Sequence, residues 1–88
     1  MDRGYNVITI RIGADGPAPA EGAAYVEFIN QGDAPVMVEN VTILPFGSWS
    51  PTTAVAGDLD FTQYRIKFNT PANNKSLVMV RKFYNDAV

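Results

Sequence analysis

Residues Gln63-Tyr-Arg-Ile-Lys-Phe68 alternate apolar and polar without a fault. Tyr64, Ile66 and Phe68 fall on one face of an extended segment; Gln63, Arg65 and Lys67 fall on the other. A period of two with one apolar face marks a half-buried β-strand. No stretch of the chain carries a convincing helical period, so the fold must be built from strands.

The same logic finds further strands. Tyr5 to Ile12 places Ile8, Ile10 and Ile12 on one face, and Tyr5, Val7, Thr9 and Arg11 on the other. Both faces are partly apolar, which suits a strand covered on both sides or paired with another subunit. Ala23 to Asn30 points Val26 and Phe28 inward and Glu27 outward. Val36 to Val38 and Val41 to Leu44, separated by Glu39-Asn40, read as a tight hairpin in which Asn40 tolerates positive φ. Ser48 to Ser50 can pair briefly before Pro51, and Ser76 to Tyr84 is the last long strand. Between them lie the Pro-rich stretch 13–22, which is expected to be an exposed loop, a second irregular stretch at 52–60 and a polar loop at 69–75. Six to eight short strands with turns between them indicate an all-β fold. A small antiparallel β-sandwich, Ig-like or jelly-roll-like, is expected, with a small β-barrel as the alternative.

With 88 residues the chain makes one domain, 1–88. A domain this size buries roughly 60–65% of the surface its unfolded chain exposes. It has no cysteine to staple its thin core, so association with other subunits is energetically reasonable. No segment resembles a signal peptide, and no apolar run approaches the ~20 residues needed to cross a bilayer. A soluble, unprocessed protein without membrane contact is expected. Eight of the nine acidic residues precede residue 61, and five of the seven basic ones follow it. These charges either pair across strands or form two poles that meet head to tail in an assembly.

Histidine is absent as well as cysteine. Ser48, Ser50 and Ser76 therefore have no imidazole to activate them, and no zinc-type cluster can form. No catalytic residue, cofactor or metal is assigned. Asp58 and Asp60, spaced i and i+2, could hold a cation or flank a glycosidic bond. Aspartates before a strand more often accept turn amides, which is the reading adopted. Arg65, Lys67, Arg81 and Lys82 lie among Tyr64, Phe83 and Tyr84, as in an oligonucleotide-binding barrel. Neighbouring residues point to opposite faces, and the overall charge is −2. The cations are expected to form a solvated face paired with Glu27 and Glu39, with no nucleic acid bound. Phe46 and Trp49 flank Gly47. They either present an aromatic anchor to a sugar or protein partner or cap one end of a sandwich. The triplets Asn40-Val-Thr42 and Asn74-Lys-Ser76 match a glycosylation pattern but are better explained by turns.

One longer pattern runs from Asn30-Gln-Gly through Ala34-Pro-Val-Met-Val-Glu-Asn-Val-Thr-Ile-Leu-Pro-Phe-Gly-Ser48, continues over Asp60 to Phe68 and ends at Ser76-Leu-Val-Met-Val-Arg-Lys-Phe-Tyr84. It resembles the small β-sandwich structural proteins of tailed bacteriophages, accessory components of the capsid or tail. Those proteins follow a short hairpin with a Leu-Pro-x-Gly-Ser-like turn and carry an Arg-Lys pair late in the chain. Phe46 departs from that pattern, since a small or polar residue is more usual there. The resemblance implies a non-enzymatic virion protein, assembled in the host cytoplasm. It would act through contacts with other virion proteins or copies of itself, as a homo-oligomer or on a lattice. Its interface candidates are Tyr5, Val7 and Thr9 on the two-sided strand, and Phe46 and Trp49 in the stretch 45–60, with the loop 13–22 beside them. A small carbohydrate- or ligand-binding module centred on Phe46 and Trp49 is the alternative.

Overall fold

The computed structural model describes residues 4–51, 59–69 and 74–85. Eight strands follow one another: β1 (Gly4–Ile12), β2 (Gly16–Pro19), β3 (Tyr25–Asn30), β4 (Val36–Val38), β5 (Val41–Ile43), β6 (Ser48–Trp49), β7 (Gln63–Phe68) and β8 (Leu77–Asn85). The first half of the chain pairs with the second as one long antiparallel hairpin. β1 pairs with β8, β2 with β7, β3 with β6 and β4 with β5. Rolling that hairpin over brings β8 beside β3 and β7 beside β4. The result is two four-stranded sheets of order β1-β8-β3-β6 and β2-β7-β4-β5. This is the strand order of a jelly roll. The sheets face each other as a sandwich and do not close into a barrel.

Alternation places the core. Tyr64, Ile66 and Phe68 of β7 are buried, and Gln63, Arg65 and Lys67 are exposed. Val26 and Phe28 of β3, Val36 and Val38 of β4 and Leu77 and Met79 of β8 complete the facing layers. Phe28 meets Tyr64 edge-on across the gap, with ring centroids 5.2 Å apart. Aromatic pairs in this arrangement add to their area burial.

The stretch 13–22 is not a free loop. It contains β2, which pairs with β7, and it buries Ala18 and Ala20 in the core. Its small side chains hide any period, and Pro17 and Pro19 are tolerated because β2 is an edge strand. Asp15 extends the attachment: its carboxylate accepts the Phe68 amide at 2.8 Å.

The hairpin at Glu39-Asn40 forms as expected, with Val38 opposite Val41. The positive φ, 54°, falls on Glu39 and not on Asn40. Strand β7 holds Glu39 in that conformation. The Glu39 amide donates to the Arg65 carbonyl at 2.9 Å, and its carboxylate accepts the Arg65 amide at 3.0 Å. Gly32 is fixed by close approach, because a Cβ there would lie 2.4 Å from the Asn74 carbonyl oxygen.

Replacing Ile66 by Ala should cost about 3 kcal/mol, the order found for large-to-small changes in a packed core. Lys67→Ala, one residue on and facing solvent, should stay within about 0.5 kcal/mol. Denaturant unfolding of the two variants checks the contrast; equal effects would contradict the packing.

Candidate functional site

The buried side chain of Asn30 organises one end of the sandwich. It ends the inward row Val26, Phe28, Asn30 of β3 and is 1% exposed. Its Nδ2 donates to the carbonyls of Ala34 and Ile43 at 2.9 and 3.0 Å, and its Oδ1 accepts the Gly32 amide at 2.9 Å. The Ile43 carbonyl and the Gly32 amide would otherwise be left unsatisfied in a dry interior, at a cost of about 1–3 kcal/mol each. The Asn30 backbone also engages the turn after β5: Phe46 N donates to Asn30 O at 2.7 Å, and Asn30 N to Gly47 O at 2.9 Å. Asn30 was not singled out from sequence. Its inward parity on an otherwise apolar row was the available signal.

That turn, Leu44-Pro45-Phe46-Gly47, is closed by Gly47 N donating to Leu44 O at 2.8 Å. Pro in its second position and a positive φ in its third are the pattern of a type II turn, whose third position favours Gly or Asn. Phe46 occupies it at φ 65°. The left-handed region costs an ordinary side chain roughly 1–2 kcal/mol. The ring is little buried among the described residues, since Phe46 is 83% exposed and Leu44 beside it is 64% exposed. A strained backbone thus presents two apolar side chains to solvent on a turn strapped to β3.

Trp49 does not stand out with Phe46. It is half-buried on β6, packs against the core and stacks on Phe28 with ring centroids 6.2 Å apart. The remaining interface candidates lie together on β1. Tyr5 and Val7 are 51% and 58% exposed, Thr9 is exposed on the same face, and Ile8 is 45% exposed on the other. Tyr5 stacks on Tyr84 of β8 at 5.4 Å. The pairs Asn6–Phe83, Tyr5–Tyr84 and Gly4–Asn85 run past the last rung of β3, Tyr25–Lys82, so the end of this ribbon projects from the sandwich.

The charged residues divide between the two outer faces. Arg65 lies 3.6 Å from Glu39 on the outside of the β2-β7-β4-β5 sheet, and acidic and basic halves of the chain meet across strands. Lys82 lies over the Tyr25 ring at 4.9 Å on the outside of the other sheet. Arg81 departs from the expected solvated face: it is 7% exposed. It shares the inner face of β8 with Leu77, Met79 and Phe83, where it closes the end of the core. Its Nη1 donates to Pro19 O at 3.2 Å and to the Glu21 carboxylate at 3.1 Å. Its Nε is buried without a hydrogen-bond partner. Glu21 holds this contact from a φ of 58°.

Asp60 serves a turn, as expected. Its Oδ1 accepts the Thr62 amide at 2.8 Å, and its Oδ2 accepts the Tyr64 hydroxyl. Its backbone bridges Ala23, with Asp60 N donating to Ala23 O at 2.8 Å. Asp58 and Gly57 lie outside the described residues. Burial pushes the Asp60 carboxyl upward, but hydrogen bonds from Tyr64 and Thr62 outweigh it and hold the group below the ordinary 3.8. Burial, followed by the Asp60 hydrogen bond and charge, pushes Tyr64 up and keeps its hydroxyl a donor. Among the described residues no group of His, Cys, Asp and Glu side chains is arranged to hold a metal ion.

Comparison with protein families, curated proteins and solved structures yields no match.

Two outcomes are expected. Phe46→Asn should raise stability by about 0.5–1 kcal/mol, because Asn tolerates the left-handed region and no buried contact is lost. A drop in Tm would show that the ring packs within the chain. Asp60→Asn should lower stability at neutral pH by roughly 1.5–3 kcal/mol, the scale of hydrogen bonds to a charged group. A carboxyl depressed on folding stabilises above its unfolded pKa and loses that contribution as pH falls through its folded one. The difference between wild type and Asp60→Asn should therefore shrink as pH falls below 3.8, and urea unfolding from pH 7 to pH 2 reads it.

Proposed function

We propose that this chain is a non-enzymatic structural protein, an accessory component of a phage capsid or tail that works through protein–protein contacts. The observation that carries this reading is Phe46, a large apolar ring held in a strained conformation and pointed at solvent. Strain of this kind concentrates where a protein makes functional contacts. Burial of Phe46 and Leu44 against a neighbour would repay it, since a buried aromatic contributes on the order of 2 kcal/mol or more. The exposed apolar residues of β1 offer a second surface. The jelly roll is used by viral capsid domains and by lectin domains alike, so fold analogy is compatible with this reading without choosing it.

The alternative of a carbohydrate-binding module is weakened by the position of Trp49. Sugar recognition by an aromatic pair needs both rings exposed on one surface, and here one ring is stacked on Phe28. A shallow groove of about 350 Å³ lies on the outside of the β2-β7-β4-β5 sheet, lined by Pro35, Met37, Thr42, Lys67, Phe68 and Asn69. Phe68 is itself buried, so the groove offers one cation and no exposed aromatic platform.

Particles purified from the strain that carries this sequence should contain the chain by mass spectrometry. Phe46→Asn should lower its copy number in those particles, although the variant is the more stable protein. Absence of the chain from purified particles, or unchanged incorporation of the variant, would contradict the proposal.

A further inference from the structure

The two sheets of this sandwich have four edge strands, and three of them are guarded against pairing with another chain. β2 is four residues long, and two of them are Pro17 and Pro19, which have no amide to donate. β5 has three residues, and β6 has two, with Pro51 soon after. Short edges and prolines are the devices by which β-proteins suppress edge-to-edge association.

β1 carries none of these. It is nine residues long and contains no proline, and its register with β8 runs from Gly4–Asn85 to Ile12–Leu77 without a bulge. Its single charge is turned away from the free edge. Arg11 reaches across the outer face of its own sheet, where Nη1 donates to Ser76 Oγ at 2.7 Å and Gln31 Oε1 at 3.2 Å. Apolar side chains stand exposed on both faces of the strand: Tyr5 and Val7 on one, Ile8 on the other. A long, unbroken edge with apolar residues on both faces is a template for strand addition.

We infer that β1 pairs antiparallel with β1 of a second copy, across a two-fold axis that passes beside Ile8. The inference rests on the assembly reading and specifies its partner. Two observations select the second copy. In a contact between identical chains, the guarded edges leave β1 as the one long strand among the described residues with which β1 can pair, and an edge that pairs with itself does so about a two-fold. The sequence of β1 is also self-complementary when the nine residues overlap fully. In that register Ile8 faces Ile8 of the second copy, Val7 faces Thr9, Asn6 faces Ile10 and Tyr5 faces Arg11. Gly4 faces Ile12, no like charges meet, and the three central rungs, Ile8–Ile8 and the two Val7–Thr9 pairs, join β-branched residues, which suit the pleated surface of an antiparallel ladder. The paired molecule has one continuous sheet of eight strands whose outer edges are the two-residue β6 strands. Pairing consumes both open edges, so it yields a closed dimer and not a fibre.

Light scattering of the full chain across a concentration series tests this. The expected mass rises from 9.6 kDa for the single chain to twice that value and then stays constant. Ile8→Lys and Ile8→Glu should each remain folded by circular dichroism, since the side chain is 45% exposed. Each should weaken its own dimer roughly tenfold or more, because like charges face each other at the axis. Mixing the two variants in equal amounts should restore the doubled mass. Val7→Lys, on the opposite face of β1, should weaken the dimer without disturbing the fold and serves if either position-8 variant unfolds. A wild-type monomer throughout the series, open-ended growth, or failure of folded Ile8→Lys and Ile8→Glu to combine overturns the two-fold pairing. Incorporation into particles is read separately through Phe46→Asn, so a monomer that still enters particles through Phe46 removes the dimer and leaves the assembly reading standing.

Discussion

The edge-on contact of Phe28 with Tyr64 is the interaction on which the rest of the molecule depends. It joins an interior strand of one sheet to an interior strand of the other. Several of the side chains that shape the candidate site connect to one of its two ends. From Phe28 the chain of contacts continues to Trp49, which stacks on it, and along the same inward row to Asn30, which straps the Phe46 turn. From Tyr64 it continues through the hydroxyl to Asp60 and from there to Ala23, beside Glu21 and its bond to Arg81.

Strands with strict alternation were legible in the sequence because one residue in two reports directly on burial. β7, β3, β4 and β5 follow that rule, and so does the two-residue hairpin between β4 and β5. β2 was hidden because its inward residue, Ala18, is small and its neighbours are prolines, so apolar and polar positions could not be told apart. Arg81 and Asn30 were hidden for the opposite reason. Each is a polar residue at a position whose parity points inward, and the hydrogen bonds that make this tolerable come from Pro19, Glu21, Ala34 and Ile43, at separations no local pattern reveals. The two-sided character of β1 and the unusual residue at position 46 were both visible from sequence. What they lacked was geometry: an unpaired edge in one case and a positive φ in the other.

Two features of the surface run against what stability alone would favour. A left-handed turn position holds Phe where Asn or Gly fits without strain, and the longest edge among the described residues is left open while the shorter ones are blocked. Both are apolar. A chain selected only to fold would remove each of them by a single substitution. Their presence fits a protein whose free surface is completed by neighbours, with β1 supplying backbone hydrogen bonds and Phe46 a side-chain anchor. In the proposed assembly the two surfaces would do different physical work: strand pairing would fix relative orientation, whereas a single ring in a partner's pocket would supply affinity with little directional demand.

Amide hydrogen exchange resolved by residue tests the central claim most directly, because it reports on each sheet edge within one experiment. Measured at low and high protein concentration, the outward-facing amides of β1 should pass from fast to slow exchange as the protein becomes concentrated, while those of β5 and β6 stay fast at both. Fast exchange of those edge amides at every concentration would contradict the account, as would protection appearing at β5 or β6 instead.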